Sequence, residues 1–147
     1  MQCLYSAVQL GDTSCLPGLI QAVEVWHQVV AIDSWTPYWF TGVGFAHLLT
    51  GDATTAVGYF DRSLGVASTT GAGFYIAETL RGRGEARRML GDEAAARADL
   101  SEALAVAERQ GATLFADRAR AALDALAPDA QAPDAQAPDA QATDRRA

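Results

Sequence analysis

Residues 42–72 read GVGFAHLLTGDATTAVGYFDRSLGVASTTGA, and residues 82–112 read GRGEARRMLGDEAAARADLSEALAVAERQGA. Set against each other at a displacement of 40, without a gap, they agree at Gly42/Gly82, Gly44/Gly84, Ala46/Ala86, Gly51-Asp52/Gly91-Asp92 and Ala56/Ala96. The agreement continues through Leu64/Leu104, Val66-Ala67/Val106-Ala107 and Gly71-Ala72/Gly111-Ala112. A further step back places Gly11-Asp12 under Gly51-Asp52, so the Gly-Asp pair recurs three times. A fixed period of this size is the signature of stacked supersecondary units.

The Gly-Asp pair has a physical role. Gly closes one helix in the left-handed conformation that other residues resist. Asp then caps the next by accepting free backbone N–H groups. A turn this short folds two helices into an antiparallel hairpin. The apolar line Ala96, Leu100, Ala103, Leu104, Ala107 follows helical spacing. Ala56, Phe60, Ser63, Leu64, Ala67 follows the same spacing, with Ser63 its one polar member. Such spacing marks a helix face rather than a strand. The pattern predicts seven helices, at about 2–10, 15–31, 37–50, 53–69, 73–90, 93–110 and 112–126. Pro17 and Pro37 suit first helical turns.

These units resemble the tetratricopeptide repeat family. Its pattern is an aromatic residue, Leu-Gly and a large residue in the first helix, a turn Gly, then Ala, a large apolar residue and Ala-Leu in the second. Residues 37–70 supply Phe40, Val43-Gly44, His47, Gly51, Ala56, Phe60 and Ser63-Leu64. The next unit supplies Leu80, Arg83-Gly84, Arg87, Gly91, Ala96, Leu100 and Ala103-Leu104. Ser63 departs from the usual Ala, the period is longer than the family's, and Leu16, Ile20 and Val23-Glu24 fit the pattern poorly. Residues 77–123 also resemble the C-terminal repeats of large bacterial ATPase-linked transcriptional regulators. The chain begins inside what would be a first helix and stops after half a repeat.

The resemblance implies an all-α fold: antiparallel helix hairpins stacked as a short right-handed α-solenoid of about three repeats over 1–126. It also implies a concave groove, lined by the first helix of each repeat, that holds a protein or peptide partner. By position its residues would be Tyr5, Tyr38, Thr41, Phe45, Glu78, Arg81, Glu85, Arg88 and Arg118. Such a groove is aromatic at one end and charged at the other, suited to a segment with one apolar anchor and charged flanks. The implied function is a non-catalytic interaction or scaffold module with a regulatory role. The alternative is a small-molecule-sensing helical domain of a transcriptional regulator, closing its Trp-rich region on a ligand. Truncated repeat ends would expose apolar edges, giving end-to-end self-association or a mobile first helix.

Residues 127–147 read APDAQ three times and then ATDRRA. They carry no aromatic or branched aliphatic residue with which to offset ordering entropy, so a disordered tail is expected.

Composition narrows the function classes. The chain has 147 residues, a net charge of −7, and no Lys or Asn. Without Lys there is no phosphate-binding loop of the G-x-x-x-x-G-K-[ST] type and no Schiff-base chemistry. The acidic balance disfavours direct nucleic-acid or membrane binding. Residues 1–61 hold five acids and no Arg, whereas 62–126 hold nine of each. No apolar run is long enough to span a bilayer, and no basic residue precedes the apolar stretch at the N-terminus, so a cytoplasmic location is expected.

Candidate chemistry is sparse. His27 and His47 lack the carboxylate or Cys spacing of a zinc site and read as packing residues. Cys3 and Cys15 read as structural thiols. No cofactor or catalytic constellation is expected. Arg81, Arg83, Arg87 and Arg88 form the densest basic cluster, either a solvated face laced with i,i+4 pairs or a clamp for a partner's carboxylate. Trp35, Tyr38, Trp39, Phe40 and Phe45 form either an exposed interaction patch or the filler of an imperfect first repeat.

Overall fold

The structure is a computed structural model that describes residues 10–30 and 34–126. Among these residues it contains six α-helices, one short 3-10 turn at Thr13–Cys15, and no strand. The helices are α1 (Leu16–Val29), α2 (Thr36–Leu49), α3 (Ala53–Thr70), α4 (Ile76–Met89), α5 (Glu93–Arg109) and α6 (Thr113–Asp124). The helix expected at 2–10 and the tail at 127–147 lie outside the described residues. So does the middle of the α1–α2 connection.

The Gly-Asp turns behave as their chemistry requires. Gly51 and Gly91 adopt φ of 79° and 82°. Beyond each, the Asp N–H turns back: Asp52 donates to the His47 carbonyl at 2.9 Å and Asp92 to that of Arg87 at 3.0 Å. This is the hydrogen-bond pattern of a Schellman helix ending. Each Asp side chain then caps the following helix, accepting from the backbone N–H of Thr55 (3.1 Å) or Ala95 (3.0 Å). At Asp12 the capped donor is Ser14 N–H, and a 3-10 turn intervenes before α1. The expected start of α4 at 73 moves to Ile76: the Gly73 carbonyl accepts from Ile76 N–H (3.3 Å) in a turn and from the Gln110 side chain (2.8 Å).

Each helix packs on its neighbours in the chain, and α4 packs on both α2 and α6. The result is an all-α helical repeat solenoid, with α2, α4 and α6 as successive first helices of the repeats. Its core is narrow and built on small residues. Phe60, fully buried, is the wedge between units. A Cβ on Gly82 would lie 2.5 Å from the Phe60 ring, and one on Gly44 would lie 2.6 Å from it. In the next unit Leu100 fills the equivalent space, 2.8 Å from a Cβ on Gly84. Gly44, Gly82 and Gly84 are therefore packing devices, and Gly82 and Gly44 share one ring.

Ser63, the departure from the repeat pattern, has a specific partner. Its hydroxyl donates to the Pro37 carbonyl at 2.8 Å and lies 2.9 Å from the Thr41 hydroxyl. Thr41 in turn lies 2.6 Å from the Thr79 hydroxyl. This buried hydroxyl cluster joins α2, α3 and α4. With Ala at 63 the cluster would lose a bond without orphaning a group, since the Pro37 carbonyl keeps the Thr41 hydroxyl at 2.8 Å and Thr41 keeps Thr79.

Candidate groove on the first-helix face

The first helices of the repeats border a cavity of about 470 Å³. Phe45, Leu48 and Leu49 of α2 form its apolar wall. Tyr75, just before α4, with Glu78, Arg81, Glu85, Arg88 and Met89, forms its floor, and Arg118 of α6 closes the far side. Helical spacing explains the set: 78, 81, 85 and 88 recur every three or four residues and share one face of α4.

The charges are organised around Glu78. Its side chain is only 4 % exposed, so it must be paired. It accepts from Arg81 Nε (3.0 Å) and Nη2 (2.7 Å), and from Arg118 Nη1 (3.0 Å). The other arm of Arg81 donates to Glu85. Arg81 also lies over the Phe45 ring, 5.0 Å from its centroid. Burial by itself would lower the Arg81 pKa, but the bonds and charges of Glu78 and Glu85 outweigh it and hold the group above its ordinary value. Arg88 is different. It is exposed, and among the described residues no carboxylate or carbonyl pairs with its guanidinium. Three Arg against two Glu leave the lining net positive in a chain of net charge −7.

Of the nine residues expected in the groove, six line this cavity: Phe45, Glu78, Arg81, Glu85, Arg88 and Arg118. Tyr38 does not line it, but its ring packs edge-on against Tyr75, which does, at 5.0 Å. Thr41 is a correction. It is fully buried, because α3 and α4 cover it and its hydroxyl is committed to the Ser63–Thr79 cluster. Tyr5 lies outside the described residues.

The Arg cluster of α4 is also not one solvated face. Arg83 and Arg87 turn to the opposite side and converge on Asp99 of α5, at 2.7 and 2.9 Å, with Asp61 of α3 adding a bond to Arg83 at 2.6 Å. The aromatic cluster divides in the same way. Phe40 is core, Phe45 lines the cavity, and Trp35 is 55 % exposed.

One feature escaped the sequence reading. Trp35, Tyr75 and Phe115 stand 40 residues apart, one at the start of each first helix. With Tyr38 and Phe74 they form a continuous aromatic edge: Trp35–Phe74 at 5.4 Å, Tyr38–Tyr75 at 5.0 Å and Tyr75–Phe115 at 5.6 Å. The period that aligned the glycines also aligns these rings, but their types differ, so a search for identities passes over them.

The remaining candidates are packing residues. His27 packs edge-on against Phe40 at 5.0 Å. His47 stacks on Tyr59 at 5.5 Å, with Nδ1 3.4 Å from Asp52, and its buried Nε2 has no hydrogen-bond partner among the described residues. The Cys15 thiol donates to the Asp12 carbonyl. Among the described residues no cluster of His, Cys, Asp and Glu is placed to hold a metal ion, and no helix is long and apolar enough to cross a membrane.

Comparison with known proteins agrees with this architecture. The family model for the tetratricopeptide repeat matches residues 35–109, from the start of α2 to the end of α5. Neither the curated proteins nor the solved structures yield a match. The match covers half of the chain, and the chain belongs to the tetratricopeptide repeat family, whose members typically serve as protein-interaction modules.

Proposed function

We propose that this chain is a non-catalytic interaction module with a regulatory role, and that it binds a partner segment in the cavity between α2, α4 and α6. The observation that carries the reading is Arg88, an exposed cation with no paired acceptor among the described residues, beside an apolar wall of Phe45, Leu48 and Leu49. A guanidinium presents planar paired donors suited to a carboxylate. The apolar wall asks for a hydrophobic side chain. The partner is therefore a protein segment with one Leu or Phe anchor flanked by Asp or Glu. A cytoplasmic location and a place beside a larger regulator fit the same reading and rest on the sequence.

The test uses the full chain and short synthetic peptides carrying one Leu or Phe among Asp residues. Binding is measured by calorimetry at low and high salt. Reversal of the two outer cations of the lining, Arg88→Glu with Arg118→Glu, should weaken binding at least about tenfold, roughly 1.4 kcal/mol, and abolish its salt dependence. Circular dichroism checks that the helices remain. Unchanged affinity in a folded double variant would defeat the proposal.

A further inference from the structure

We infer that the first occupant of this groove is the chain's own acidic segment 127–144, which competes there with the partner. The inference rests on the groove reading above and deepens it, by naming an occupant already covalently present.

Charge comes first. Residues 127–144 hold four Asp and no basic residue, and Pro and Asp recur together every five positions. The cavity is net positive, with Arg88 unpaired among the described residues and Arg118 half exposed and holding one carboxylate. An acidic stretch joined to a cationic groove on one molecule faces it at high effective concentration.

Register comes second. The first helices are successive members of one repeat, so α6 lies beside α4 forty positions on. Leu126 therefore stands at the level of Ala86, where its carbonyl accepts from Arg97 of α5 at 3.0 Å. Arg118 stands at the level of Glu78. Arg88 and Glu78 are ten helical residues apart, about 15 Å at the helix rise. Five residues of extended, Pro-containing chain span about 15 Å as well. Successive Asp residues, five positions apart, thus match the spacing of Arg88 and Arg118 in an extended chain.

The aromatic edge comes third. Beyond Arg118 the same path reaches Tyr75, which belongs both to the cavity lining and to the edge with Trp35 and Phe74. Trp35 and Phe74 are 55 % and 47 % exposed. Aromatic surfaces of this kind receive Pro-containing extended chain, whose backbone is already ordered. The segment has Pro and Asp in alternation but no Leu or Phe. It can meet the cations and the rings while leaving the apolar wall of Phe45 and Leu48 unfilled, so a partner with an apolar anchor can displace it.

The experiment compares the full chain with its Asp129→Asn, Asp134→Asn, Asp139→Asn variant, which leaves the helices untouched. Nitrogen-15 NMR at low salt should show shifts between the two chains at the side-chain Nε–H of Arg88 and Arg118 and at the Trp35 indole. High salt should merge the spectra. Independence from protein concentration supports the intramolecular contact, and dependence on it overturns that contact. Superimposable spectra over 10–126 at low salt overturn the inference. The synthetic Leu/Asp peptide separates the two readings. Several-fold tighter binding to the variant than to the parent chain supports competition by the segment. Equal binding to both chains overturns it and leaves the groove reading standing. Shifts at Arg88 and Arg118 with no peptide binding to either chain retain the segment as occupant and remove the partner reading.

Discussion

The hairpins α2–α3 and α4–α5 occupy equivalent places in the repeat and are held together by opposite chemistry. At the interface of the first, Val43, His47 and Tyr59 meet, with the imidazole stacked on the phenol ring at an interplanar angle of 13°. At the same three positions of the second stand Arg83, Arg87 and Asp99, an ion cluster whose carboxylate is 6 % exposed. In the groove lining, Phe45 and Leu48 of α2 give way to Glu85 and Arg88 at the same positions of α4. What stays fixed is the small set where backbones approach: Gly44/Gly84, Ala46/Ala86, Ala56/Ala96, and a large residue at Phe60/Leu100. The fold therefore depends on volume at those positions and tolerates either apolar or ionic contact elsewhere. The groove draws its character from the junction of the two kinds of helix, where the Phe45 ring of one meets Arg81 of the other.

The strongest test of this contrast is removal of the wedge. Phe60→Ala empties the space between Gly44 and Gly82 and should cost about 3–5 kcal/mol in denaturant unfolding. A loss below about 1 kcal/mol would mean that the two units do not share a single packed ring.

The second test exchanges the chemistries. Asp99→Ala leaves Arg87 without its carboxylate and Arg83 with only the exposed Asp61, and should cost about 1–3 kcal/mol. Replacing all three residues by their counterparts, Arg83→Val, Arg87→His and Asp99→Tyr, should recover most of that loss. If the triple variant unfolds as readily as Asp99→Ala, the two interfaces are not interchangeable.

The smallest effect lies at the other end of the solenoid. Arg62 of α3 reaches Glu24 of α1 at 2.5 and 2.9 Å. Its hydrogen bonds hold the Glu24 carboxyl below its usual range, against a smaller opposing effect of burial, with Tyr59 helping. A depressed carboxylate stabilises the fold fully above the unfolded value, about 4.3. That contribution is lost as pH falls through the lower folded value. In Arg62→Met, a carbon-13 titration of Glu24 should move up to the ordinary carboxylate range, and the acid loss of stability it accounts for should shrink. An unmoved midpoint would remove the α1–α3 ion pair from the account.

The turns were legible because each needs a specific residue: a left-handed Gly and a capping Asp declare themselves without any neighbour in space. The helix faces were legible for the same local reason. Thr41 was misplaced because its register matches that of Arg81, yet a short hydroxyl is covered by α3 and α4 where a long guanidinium reaches out past Phe45. Trp35, Tyr75 and Phe115 were overlooked because the repeat keeps their character and not their identity. Spacing alone put Arg81 and Arg88 on one face with Glu78 and Glu85, but the ion cluster that Arg83 and Arg87 make on the other side needed Asp99 of α5 brought into place.

The sequence by itself determined that helices pair as hairpins with a period of 40 and which small residues let them touch, and it placed the described helix ends to within three residues. Those are short-range properties of backbone conformation and side-chain volume. Only the tertiary structure decided which charges meet. Glu78 and Arg118 lie forty residues apart, as do Thr41 and Arg81, yet the first pair bonds across α4 and α6 and the second does not. Charge pairing depends on reach, direction and exclusion of water between neighbouring helices, and these exist only once the repeats have stacked.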